Sequence, residues 1–116
     1  MRLNQVTVPA LDVERSIAFY QTLGLKLIVK SPHYARFELP DGESTFSLHL
    51  TDNVEGVERG PHVYFECEDL DAHVATLKAK GIVFDSDPVD QSWLWREAWL
   101  TDPAGVKLCL YYAGRN

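Results

Sequence analysis

Asp12-Val13-Glu14-Arg15-Ser16-Ile17-Ala18-Phe19-Tyr20, followed shortly by Leu23-Gly24-Leu25, is the stretch from which the fold is read. Asp12 offers a side-chain oxygen to the unsatisfied amides of a helix start. Val13, Ile17, Tyr20 and Leu23 then recur at helical spacing and would form one apolar stripe. Gly24 suits the left-handed residue that closes a helix. On either side the period changes to two. Leu3 to Val8 alternates upstream, and Leu25 to Val29 and Tyr34 to Leu39 are strand-like downstream, with Ser31-Pro32 turning the chain between them. Pro40-Asp41-Gly42 makes a further turn, and Thr45 to Leu50 reads as a fourth strand.

The same order then begins again. His62 to Cys67 reads as a strand, Asp69 as an N-cap, Leu70 to Lys80 as a helix and Gly81 as its stop. Ile82 to Phe84 is expected to be a short strand, Asp85 to Ser92 a loop, Leu94 to Leu100 a strand, Asp102 to Gly105 a turn and Val106 to Tyr112 the last strand. Gln5 and His62, Asp12 and Asp69, and Gly24 and Gly81 are each 57 positions apart. Each half also ends on a strand after a proline-containing turn, carrying Leu48-His49-Leu50 or Leu108-Cys109-Leu110. A fixed separation of matched signals marks an internal duplication. The expected architecture is α+β, two βαβββ modules: module one about 1–52, a linker at 53–60, and module two about 61–116.

Length and composition bound the alternatives. With 116 residues, 46% hydrophobic and 24% charged, the chain fits one soluble globular domain. Its net charge of −6 and scattered basic residues argue against a nucleic-acid partner, which needs a positive surface. No apolar run approaches a membrane span, and the first ten residues lack the pattern of a secretory signal. Two cysteines are too few for a disulfide framework, so a reducing cytoplasm is the expected compartment.

Strand parity separates two faces, because successive side chains point to opposite sides. Phe46, Leu48 and Leu50 oppose Thr45, Ser47 and His49. Leu108 and Leu110 oppose Cys109 and Tyr111, Val63 and Phe65 oppose His62 and Tyr64, and Val6 and Val8 oppose Gln5 and Thr7. One face is apolar enough to pack on helices; the other is polar and holds Gln5, His49, His62 and Cys109. In the seventh strand, Trp95, Glu97 and Trp99 share the polar side and would make an aromatic wall beside one carboxylate. Glu97 is the candidate general base, with a raised pKa if the site is dry. Arg36, on the same side of module one, either holds an anionic group or forms a surface pair with Glu38.

The segments Asp12 to Tyr20, Leu23 to Leu25 and Leu100-Thr101-Asp102-Pro103-Ala104-Gly105 resemble the vicinal oxygen chelate superfamily. Glyoxalase I, extradiol dioxygenases, fosfomycin-resistance enzymes and bleomycin-resistance proteins belong to it. The resemblance implies two modules forming a curled mixed sheet around a concave cavity, with helices on the outer face. It implies metal ligands on the first and fourth strands of each module, which here are Gln5, His49, His62 and Cys109. It also implies a homodimer and a small-molecule ligand. Two imidazoles and a thiolate suit zinc, with nickel or iron as alternatives. Neither glutamate ligand of the glyoxalase I pattern is present.

Two functions stay open at this point. One is a metal-dependent isomerase, lyase or transferase acting on a small oxygenated molecule, with Glu97 as base. The other is a metal-free binding protein of the bleomycin-resistance type; under either, Arg36, Ser47, Tyr64, Trp95, Trp99 and Tyr111 are the candidate ligand contacts.

Overall fold

The computed structural model describes residues 1–114. Two compact units are present: Met1–Val57 with Pro103–Gly105, and Glu58–Asp102 with the stretch that begins at Val106. Among the described residues there are two α-helices and eight strands. Each unit carries one open four-stranded sheet and one helix, as an α+β chain of two βαβββ modules requires.

In the first unit the order is β1 (Gln5–Ala10), α1 (Val13–Leu23), β2 (Lys26–Ser31), β3 (Tyr34–Glu38) and β4 (Thr45–Leu50). The helix starts where the sequence places it. Asp12 is extended, at φ −134° and ψ 102°, and its carboxylate accepts the Arg15 amide at 3.1 Å. Gly24 ends the helix at φ 110°, which a side chain would strain. The stripe of Val13, Ile17, Tyr20 and Leu23 is buried. Tyr20 sits at the centre of that core, with ring centroids 4.6 Å from Phe46 and 6.0 Å from Phe37. The sheet order is β1-β4-β3-β2, with β1 and β4 parallel and the other pairs antiparallel.

The second unit repeats the topology with β5 (Val63–Glu66), α2 (Leu70–Ala79), β6 (Val89–Asp90), β7 (Arg96–Thr101) and β8 (Lys107–Tyr112), in the order β5-β8-β7-β6. Leu70, Val74 and Leu77 bury the inner stripe of α2 against the apolar face, where Ala98, Leu100, Leu108 and Leu110 are also buried. The repeat is looser here than the sequence suggests. Asp69 stands before the helix but makes no side-chain capping bond.

The expected strand at Ile82 to Phe84 does not form; β6 lies instead in the stretch read as a loop. The cause is local. The Ile82 amide is used to close the helix end on the Leu77 carbonyl at 3.1 Å, so only Phe84 bridges β7, opposite Leu100. The amides of Asp85 and Ser86 both turn onto the Trp99 carbonyl. His62, expected inside the strand, lies just ahead of β5. Among the described residues no helix is long and apolar enough to cross a membrane.

Candidate functional site

Register decides which side chains meet. Partners in neighbouring strands share a face, so each row across a sheet can be read directly. In the second unit Tyr64 lies opposite Cys109, and Cys109 opposite Trp99. The next row runs Glu66, Tyr111, Glu97 and Val89. Trp95 precedes β7 by one residue and stacks on Tyr111, with centroids 4.3 Å apart and planes 12° from parallel. Tyr64 meets Trp95, Trp99 and Tyr111 edge-on at 6.3, 5.6 and 5.9 Å. His62 extends the set, edge-on to Trp99 at 5.3 Å. Five rings thus form one continuous aromatic surface, and Tyr64 at its centre is 46% exposed.

Beneath these rings lies Glu97, only 3% exposed. Its Oε1 accepts the Trp99 indole N–H at 3.1 Å, and its Oε2 accepts the Trp93 indole N–H at 2.9 Å. Sequence reasoning placed Glu97 between Trp95 and Trp99 as a candidate base; the structure shows each oxygen engaged by an indole. Trp93 was not foreseen as a partner. It stands outside the strand, in a turn where Gln91 donates to the Trp95 carbonyl and Leu94 to the Gln91 carbonyl. Leu94 takes φ 71° there, a left-handed conformation rare for a leucine. The only clue in the sequence is three tryptophans within seven residues, at 93, 95 and 99.

The surroundings keep the thiol and hydroxyls of this face protonated. Burial pushes the Cys109 thiol up to about 12, with the Glu97 charge acting in the same direction. Burial also raises the Tyr64 hydroxyl, helped by Cys109 and Glu97, and raises Tyr111, helped by Glu66. The cations of β7 and β8 are occupied elsewhere. Arg96 spreads its guanidinium over Asp71 and Asp90, and Lys107 bonds Thr101 and Asp85.

The first unit carries the remaining candidates. Tyr34, Arg36 and Glu38 lie opposite His49, Ser47 and Thr45. The Arg36 Nη2 donates to Thr45 Oγ1 at 3.2 Å, Thr45 donates to Gln5 Oε1 at 2.9 Å, and the Tyr34 and Ser47 hydroxyls share a bond of 2.9 Å. Arg36 therefore joins a hydroxyl network and makes no ion pair with Glu38. An open depression in this unit is lined by Leu11, Leu50, Thr51 and Asp52, none of them a candidate site residue from the sequence.

The four metal positions lie on two sheets, Gln5 and His49 on the first, and His62 just ahead of β5 with Cys109 on β8 in the second. Gln5 lies opposite Thr45 and His49 opposite Pro9. Four residues of strand separate the two rows, about 13 Å along the sheet. The register also relates the two units position by position. Tyr64 opposite Cys109 in unit two corresponds to Thr7 opposite Ser47 in unit one, so the counterpart of Cys109 is Ser47 rather than His49. Cys109 is wholly buried, and burial holds it as the thiol. Among the described residues, no three of His, Cys, Asp and Glu gather as an ion would need.

Comparison with known proteins places these features. Residues 2–110 match the Glyoxalase family, described as the Glyoxalase/Bleomycin resistance protein/Dioxygenase superfamily. The trivalent organoarsenical cleaving enzyme of Bacillus sp. (strain MD1) is 29% identical over 119 residues, covering 97% of this chain and 73% of that protein. Two crystal structures share the fold. A glyoxalase/bleomycin resistance protein/dioxygenase from Nocardioides superposes with a TM-score of 0.79 at 24% identity, over 100% of this chain and 85% of that one. A bleomycin-binding protein complexed with bleomycin gives 0.79 at 20% identity, over 97% and 98%. With a family match spanning nearly the whole chain and the βαβββ order repeated in both units, the protein belongs to the glyoxalase/bleomycin resistance protein/dioxygenase superfamily.

Proposed function

We propose that this protein binds a small organic molecule on the aromatic face of β5, β7 and β8, without a resident metal. The observation that carries the reading is the pair of indole N–H groups fixed on the buried Glu97 carboxylate. Aromatic rings on a sheet face offer large contact area at little conformational cost, and hydrogen bonds to a common anchor reduce that cost further. Tyr64, Trp95, Trp99 and Tyr111 make the contact surface in this reading. Glu97 acts as a positioning residue that sets the two tryptophans, rather than as a base. Arg36 and Ser47 stay within the hydroxyl network of the first sheet.

A metal-free binder is the second of the two functions open from sequence, and the bleomycin-binding neighbour is a precedent for small-molecule binding on this fold. The relative from Bacillus sp. (strain MD1) is an enzyme by name, so a small-molecule substrate is compatible with the same surface. The test is tryptophan fluorescence of the full chain, kept in excess chelator, against a panel of small aromatic compounds. Saturable quenching in chelator, lost on Trp95→Leu and Trp99→Leu, supports the reading. Binding that needs added zinc and is abolished by His62→Ala contradicts it.

A further inference from the structure

A buried carboxylate is costly unless a cation or several hydrogen bonds compensate it. Glu97 has two neutral indole donors and no positive partner: among the described residues no Lys, Arg or His forms an ion pair with it. The two cations of β7 and β8 are satisfied by other carboxylates. In the same row as Glu97 lies Glu66, across Tyr111, and it too has no ion-pair partner among the described residues. The rings above them have electronegative π faces. An anion accepting an indole N–H pushes electron density into that ring and strengthens its attraction for positive charge. The turn that delivers Trp93 keeps Leu94 left-handed, and such strain persists only where the surroundings enforce it.

We propose that the aromatic face of the second unit takes an organic cation, a quaternary ammonium or N-alkylated heteroaromatic group, with Glu97 as its counter-charge. This rests on the reading that the face is a binding surface, and it adds the chemical class of the ligand. The cation lies over Tyr64 and the Trp95 and Trp99 indoles, where water is partly excluded and its charge is met from below by Glu97 and from the side by Glu66. The protein's net charge of −6 adds a weak long-range attraction of the same sign. Neutral isosteres keep the stacking but lose both electrostatic contributions.

A matched pair of probes tests this on the full chain, in chelator and at a pH above 7 where quinoline is uncharged. N-methylquinolinium and quinoline have nearly the same shape and differ in charge. Calorimetric titration is expected to give about tenfold or tighter binding for the cation, the fold-change that a partly desolvated cation–π contact supplies. Glu97→Gln should reduce the cation's advantage over quinoline, and Tyr64→Leu, at an exposed position, should weaken both. Equal affinities in the wild-type protein would overturn the cation assignment and leave the binding surface standing. Binding of neither probe at millimolar concentration would overturn both. Self-association that covers the face and is not displaced by N-methylquinolinium would give the face to a second copy and also overturn the assignment. The wild-type comparison needs no variant, so a folding failure of Glu97→Gln leaves the test intact.

Discussion

Glu97 and Trp99, two residues apart on β7, are joined by a bond of 3.1 Å from the indole N–H to the buried carboxylate. A strand alternates its side chains, so i and i+2 share a face, but they do not ordinarily touch by such a bond. Here the carboxylate fixes an aromatic ring of its own strand and, through its other oxygen, the Trp93 ring from the preceding turn.

Removing that anchor should weaken the fold as well as the surface. Glu97→Ala leaves two indole donors without their acceptor, and we expect a loss of about 1–3 kcal/mol in urea unfolding. Trp93→Phe removes one bond from a ring that is 56% exposed and should cost less, about 1 kcal/mol. Equal stability of Glu97→Ala and wild type would mean that the bonds do not order the tryptophans.

The two helix starts should respond differently to the same substitution. Asp12 accepts the Arg15 amide, whereas Asp69 makes no capping bond. Asp12→Ala should therefore cost about 1 kcal/mol, and Asp69→Ala a few tenths at most. Thermal unfolding of the two variants side by side reads the difference directly; equal losses would contradict it.

That contrast also shows where sequence reading succeeded. Asp12, the stripe of Val13, Ile17, Tyr20 and Leu23, and Gly24 act within one helix, so local chemistry was enough to place α1. β6 was misplaced because its position depends on how the chain leaves the helix: the Ile82 amide closes α2, and pairing moves on to Val89 and Asp90. Register bears on the candidate metal positions as well. The likeness of Leu-His-Leu to Leu-Cys-Leu pointed to His49, while strand register makes Ser47 the partner of Cys109 in the repeat. A shift of two residues preserves the face, so parity could not detect it. Parity did place Trp99 and Glu97 on one side, and it missed Trp93 because that residue lies in a turn.

The cysteines give a pH prediction. Burial raises Cys109 from an ordinary 9.0 to about 12, and Cys67 to about 11. Both states of the chain keep these thiols protonated below pH 9, where their contribution to stability is fully present. Above it the unfolded chain ionises first, so stability should fall as pH rises from about 9 toward 12. Denaturation midpoints across that range check the sign. At pH 8 the folded thiols should react with a disulfide reagent at least about a hundredfold more slowly than those of the unfolded chain. Rapid reaction of Cys109 in the folded protein would contradict its burial.

The most direct test of the aromatic face is a proton–nitrogen spectrum of the three indoles, recorded in excess chelator while N-methylquinolinium is added. Saturable shifts of the Trp95 and Trp99 signals, with Trp93 following through Glu97 and the α1 amides unmoved, are the predicted result. Indole signals that stay still, or that move only after zinc is supplied, would contradict a metal-independent binding surface on the second sheet.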